Sequence, residues 1–134
     1  MTAKKLGHDV TVIDKLSDIG GQFIIAKLIP GKQEFYETLK YFKKHLDLFG
    51  VNIKLNHEVS AANIGKLTQY DKVVVATGVS PRIPAISGVN HEKVISYYDL
   101  LSQKRPVGKK VAVLGAGGIG FDVADYLLHS DEEM

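Results

Sequence analysis

The sequence predicts an α/β fold with a mostly parallel sheet, and three observations predict it. Two apolar runs of strand length, residues 9–14 (DVTVID) and 110–114 (KVAVL), each adjoin a helical pattern. A helix tail ended by glycine, Lys4-Lys5-Leu6-Gly7, leads straight into the first run, as in the middle of a βαβ unit. A glycine-rich turn joins the second run to a helix.

Along the chain, the strand at 9–14 is followed by a polar, glycine-containing stretch from Ser17 to Gln22, then a short apolar segment to Ile29 and a turn at Pro30-Gly31. Residues 33–50 are predicted as a helix, because Phe35, Leu39, Phe42, Leu46 and Phe49 recur at spacings of four, three, four and three and share one face. That stripe reads as core packing. Gly50 closes the helix, and residues 51–55 form a short strand, with Val59 ending a further one. Residues 72–76 (KVVVA) read as a buried strand stopped by Thr77-Gly78. The prolines of Ser80-Pro81-Arg82-Ile83-Pro84 mark an extended linker, since each biases its predecessor away from helix. Residues 97–101 suggest a short helix in which Tyr97 and Tyr98 are a packed aromatic pair beside a cap. The strand at 110–114 and a helix from Ile119 to about His129 end the pattern.

The composition excludes several classes. At 134 residues the chain has enough length for one packed core. No apolar run approaches the ~20 residues of a membrane span, and the N-terminus has no apolar signal segment. No cysteine is present, which removes disulfides, thiolate metal sites and an iron–sulfur cluster from these residues. The five histidines lack metal-ligand spacing, so no metal site is expected. The lysines come in small groups among acidic residues, at a net charge of +2, and no basic patch for nucleic acid stands out. The expectation is a cytoplasmic protein with neither nucleic acid nor membrane as partner.

The most specific motif is Gly115-Ala116-Gly117-Gly118-Ile119-Gly120, a GxGxxG between strand and helix. In a dinucleotide fold the first glycine makes the tight turn, the second lets the backbone approach a pyrophosphate, and the third packs helix against strand. The helix N-terminus then offers free N–H groups and a positive dipole end. A glycine turn with only a structural role is the alternative. Asp14, at the end of its strand, would bond ribose hydroxyls in such a fold, though no glycine-rich loop precedes Asp9; the alternative is a solvated strand-end aspartate. The run Val73-Val74-Val75-Ala76-Thr77-Gly78 would let a nucleotide pass closely over its small residues, or is simply a strand ending.

The order IGGQ after the acidic strand end, then VVVATG, then GAGGIG, is that of flavoproteins with two dinucleotide-binding domains. Residues 20–46 (GGQFIIAKLIPGKQEFYETLKYFKKHL), 54–59, 78–101 and 106–127 resemble the bacterial NADPH-dependent 2,4-dienoyl-CoA reductases, within the old-yellow-enzyme-like family. The resemblance implies a long enzyme in which a barrel holds FMN and acyl-CoA, a cysteine-rich segment holds a 4Fe–4S cluster, and NADPH reduces FAD. Carried onto this chain, it implies that Asp14 holds the FAD ribose, Gly21 and Gln22 face the flavin and Val59 meets adenine through its backbone. Ala76, Thr77 and Gly78 would line FAD, and Gly115, Gly117, Gly118 and Gly120 would cradle the NADPH pyrophosphate. No catalytic residue is assigned, because the proton donors of the family have no counterpart here.

The sequence therefore predicts a partial Rossmann-like FAD domain over residues 1–105, lacking its first strand and glycine loop. The opening strand, loop and helix of a nicotinamide domain follow over 106–134. The isolated chain is expected to be inactive. Alternatives are a related enoate reductase or amine dehydrogenase, a non-enzymatic nucleotide-binding module, or a chain that self-associates through the sheet edge the first strand would cover.

Overall fold

The structure, a computed structural model, describes residues 1–103 and 105–129. The chain divides into two compact units: Met1–Gly21 with Tyr36–Gly78, and Gln22–Phe35 with the chain from Val79 onward.

In the first unit, helix α1 (Thr2–Lys5) is the predicted helix tail. Its end is a reciprocal pair of backbone bonds, His8 N–H to Ala3 O and Gly7 N–H to Lys4 O. That pattern needs a left-handed residue after the cap, which Gly7 supplies at φ 89°. Strand β1 (Thr11–Ile13) follows and pairs in parallel with β2 (Asn52–Lys54), in the register Thr11↔Asn52, Val12↔Ile53, Ile13↔Lys54. Parallel neighbours need a long crossover, and helix α3 lies within it, spanning Glu34–Leu48. Of its predicted stripe, Leu39 is buried, Phe35, Leu46 and Phe49 are half-buried, and Phe42 is exposed. Gly50, at φ 60°, closes α3 as predicted: Val51 N–H reaches back to Leu46 O and Gly50 N–H to Asp47 O. Val51 is buried directly after that turn. A 3₁₀ helix at Ile64–Gln69, which no periodicity announces, completes the unit.

The second unit holds the principal core. Helix α2 (Phe23–Ala26) contributes Ile25, the turn after it Ile29, α4 (Tyr97–Gln103) contributes Leu100 and Leu101, and α5 (Gly118–His129) contributes Val123 and Tyr126. Tyr97 and Tyr98 pack against this cluster. Ser96 caps α4: its Oγ accepts the Asp99 N–H at 3.1 Å and donates to Asp99 Oδ2 at 2.8 Å. The tyrosine pair beside a cap is thus as the sequence implied.

Three strand expectations fail. Neither residues 72–76 nor 110–114 form a strand, and none ends at Val59. Val74 and Val75 are 87% and 81% exposed, and Leu114 is 76% exposed. The physical reason is pairing. A strand exists only beside a neighbour that accepts its N–H and C=O groups. Among the described residues the sheet consists of β1 and β2 alone, and neither residues 72–76 nor residues 110–114 have a strand beside them to pair with.

Candidate dinucleotide site

In the second unit, α5 begins at Gly118, and its first intrahelical bond is Phe121 N–H to Gly117 O at 3.1 Å. The N–H groups of Gly118, Ile119 and Gly120 therefore precede any carbonyl four residues back within the helix and are available to an anion. Gly115 has φ 120°, a backbone conformation that an L side chain rarely adopts. A Cβ built on Gly120 would collide with the carbonyl oxygen of Gly115, so the helix start and the turn touch backbone to backbone. A Cβ on Gly117 or Gly118 would meet nothing within 4 Å. The turn is closed at its third glycine and open at its second, which is the division of labour that a pyrophosphate cradle requires. The residues present fit a dinucleotide phosphate, and neither hydrogen bonding nor a side chain fills that side of the turn among the described residues.

The same unit contains Gln22, whose Nε2 donates to Val79 O at 3.3 Å, joining the segment after the glycine pair to the chain beyond Gly78. Two further residues, Lys32 and Asp122, form an ion pair at 2.6 Å, each about one-third exposed. Sequence reasoning missed this pair. Its only signal is a lysine directly after the Pro30-Gly31 turn and an aspartate early in a helix, 90 residues apart.

In the first unit, Asp14 directly follows β1, half-buried, with its N–H bonded to Lys54 O at 3.0 Å. Its Oδ1 accepts the Leu16 N–H at 2.9 Å, and its carbonyl accepts the His57 N–H at 2.9 Å. The chain leaving β2 is tied here a second time by Asn56 N–H to Leu16 O at 2.9 Å. Asn56 makes this turn at φ 53°, a left-handed conformation that asparagine tolerates better than most residues. So the carboxylate is oriented by the backbone through one oxygen, and its other oxygen accepts no hydrogen bond among the described residues. Asp18, in the polar loop, is held to α3 by Lys43 at 2.5 Å, and it orients the loop before Gly20 and Gly21. Val59 is 41% exposed, two residues past His57. Ala76, Thr77 and Gly78 are exposed. No bond joins them to Asp14 or Val59 among the described residues.

No helix among the described residues is long and apolar enough to cross a membrane.

The residue pattern of the family described as pyridine nucleotide-disulphide oxidoreductases matches residues 1–133. Cinnamate reductase of Clostridium sporogenes is 36% identical over 128 residues, which are 96% of this chain and 19% of that protein. NADH oxidase of Thermoanaerobacter brockii is 34% identical over 131 residues, covering 95% of this chain and 20% of that protein. Among solved structures, a 2-naphthoyl-CoA reductase in complex with 2-naphthoyl-CoA superposes with a TM-score of 0.89 at 34% identity, covering 98% of this chain and 20% of that one. The chain thus spans about one fifth of the length of these relatives. The disulphide in the family's description has no counterpart in these residues, which include no cysteine.

Proposed function

The chain belongs to the pyridine nucleotide-disulphide oxidoreductase family, and from that premise we propose that it is the dinucleotide-binding segment of an NADPH-dependent flavoprotein reductase. The family accounts for flavin and pyridine-nucleotide binding and for the α/β, Rossmann-like fold. The finer reading adds FAD as the flavin, NADPH as the reductant and a conjugated enoyl thioester, 2,4-dienoyl-CoA, as the substrate of the whole enzyme. In support, two relatives carry the names of reductases of unsaturated acids or thioesters, cinnamate and 2-naphthoyl-CoA. FMN and a 4Fe–4S cluster would be held by residues outside this chain. A cytoplasmic location and a domain boundary near Pro106 belong to the same proposal.

The observation that carries it is the 115–120 turn, sealed between Gly120 and Gly115 and open over Gly117 and Gly118. In this reading the N–H groups of Gly118 and Gly120 grip the NADPH diphosphate, with Gly115 making the bend and Gly117 allowing the close approach. Asp14 accepts hydrogen bonds from the FAD ribose through the oxygen that Leu16 leaves unused. Gly21 and Gln22 lie against the flavin, Val59 meets adenine with its backbone, and Ala76, Thr77 and Gly78 let the cofactor pass closely. A bound flavin would supply an acceptor for the two electrons of a hydride; the residues here bind and orient and carry no proton. The isolated chain is accordingly inactive.

The test is titration of the purified chain with NADPH and with FAD, read by thermal stability. A ligand at 100 times its Kd adds about 2.7 kcal/mol to the folded form. NADPH should give a small upward shift, and Gly117→Val, whose side chain occupies the phosphate's approach, should abolish it. An unchanged response in Gly117→Val would remove the phosphate from this turn.

A further inference from the structure

Lys32 reaches α5 by construction and not by chance. Its N–H donates to Ile29 O at 3.1 Å, and Ile29 is 2% exposed in the core that α5 shares through Val123 and Tyr126. The turn is thereby fixed to the helix, and Lys32 Nζ arrives at Asp122 Oδ2 at 2.6 Å. Asp122 stands four residues into α5, about 6 Å along the axis from Gly118. A carboxylate at that place suits the helix dipole but opposes an anion at the helix start, because the separation is within the ~8–10 Å reach of charges in about 0.1–0.15 M salt. Farther along, Asp125 is paired with His129, so its charge is partly answered on the helix itself when the imidazole is protonated.

We infer that Lys32 is a positioning residue for the nicotinamide nucleotide: it neutralises Asp122 and keeps the first turn of α5 attractive to a diphosphate. The inference rests on the dinucleotide reading given above. It also links the segment after Gly21 and Gln22 to the nucleotide helix, since the turn that carries Lys32 ends that segment. Lys32 touches no nucleotide in this account; it acts through Asp122.

An electrostatic role and a structural clamp predict opposite results for Asp122. The experiment is calorimetric titration of NADP⁺ into the whole protein that carries this chain, for the wild type, Lys32→Gln, Lys32→Arg, Asp122→Asn and the Lys32→Gln/Asp122→Asn double variant. Lys32→Gln leaves the aspartate uncompensated and should bind about three- to tenfold more weakly in dilute buffer, with the deficit shrinking toward about 0.5 M salt. Lys32→Arg should keep wild-type affinity. Asp122→Asn should bind as tightly as wild type or tighter, and the double variant should return to within about twofold of it. Equal weakening by Lys32→Gln and Asp122→Asn, with no recovery in the double variant, would show a clamp and overturn the inference. So would wild-type affinity in Lys32→Gln. Should Lys32→Gln fail to fold, Asp122→Asn decides alone: about threefold weaker binding overturns the inference, and unchanged or tighter binding supports it. Gly117→Val separates the two readings. If the wild type binds no better than Gly117→Val, the dinucleotide reading falls and takes this one with it. If the wild type binds and only the lysine pattern fails, the dinucleotide reading stands.

Discussion

Gly120 is the residue at which one added methyl would do most. Its Cβ would strike the Gly115 carbonyl, which is backbone and cannot swing aside as a side chain could. Gly120→Ala should therefore cost about 1–3 kcal/mol, the range for forcing extra volume into a packed place, and should shift α5 away from the turn. Urea unfolding of the variant beside the wild type checks this, and a loss under about 0.5 kcal/mol, the size of an ordinary surface substitution, would mean that the turn relaxes freely. Asp9 tests the electrostatics at the same scale. Its carboxylate accepts a 2.8 Å hydrogen bond from Lys4, and that bond, then the lysine charge, holds its pKa below the ordinary 3.8. A depressed folded pKa means that the stabilisation is present above the unfolded value and is lost as pH falls through the folded one. Carbon NMR should show Asp9 titrating below 3.8, and Lys4→Gln should bring it back up. At this scale the sequence was informative wherever a residue type has one use. The GxGxxG glycines announced themselves, because only glycine serves at Gly115 and Gly120. Lys32 and Asp122 did not, because a lysine and an aspartate 90 residues apart are indistinguishable from solvated charges until the chain is folded.

Elements that close their own hydrogen bonds were read well, and the errors of one or two residues at their ends are small. Helix α3 was expected at 33–50 and is found at Glu34–Leu48. Its stop was legible because Gly50 takes the left-handed conformation that lets Val51 N–H and Gly50 N–H recover two carbonyls of the last turn. Gly50→Ala should cost about 1 kcal/mol, the penalty of a Cβ in that conformation. Since a Cβ there meets nothing within 4 Å, the loss should be conformational and not a clash. Asparagine at the same position should recover part of it, which thermal melts of the two variants would show. Helix α4 gives a parallel case at its other end. Ser96→Ala removes the oxygen that accepts the Asp99 N–H and should cost about 1 kcal/mol. Threonine there should restore most of it, and an alanine variant as stable as the wild type would show the cap to be decorative. Strands are different in kind, because every ladder bond of a strand is made to another segment. The strand readings at 9–14 and 51–55 hold because each finds its partner in the other; the runs at 72–76 and 110–114 carry the same apolar β-branched signal and form none.

Across the whole chain, that difference becomes a statement about which surfaces are finished. The helical faces around Ile25, Ile29, Leu100, Leu101, Val123 and Tyr126 are buried. Val74, Val75 and Leu114, by contrast, are among the most exposed apolar residues described. Burying one such side chain is worth about 1.5–3 kcal/mol, so a sequence that places three valines in succession encodes a neighbour for them. Amide exchange reports this directly. In the chain by itself the amides of residues 73–76 should exchange at nearly the rate of an unstructured peptide, while those of Val12 and Lys54, bonded within the β1–β2 pair, are protected. Joining a strand–glycine turn–helix segment ahead of Met1, in the order that puts a strand between β1 and residues 72–76, should slow those amides by at least about tenfold. It should raise FAD affinity at the same time, because the added turn and Asp14 would then address the same cofactor. Slowed exchange without a gain in FAD affinity would show that the sheet had been completed but that Asp14 is not where the ribose binds. Protection of residues 73–76 in the unextended chain would mean that they already have a neighbour, and light scattering would then distinguish a second copy from a rearranged monomer.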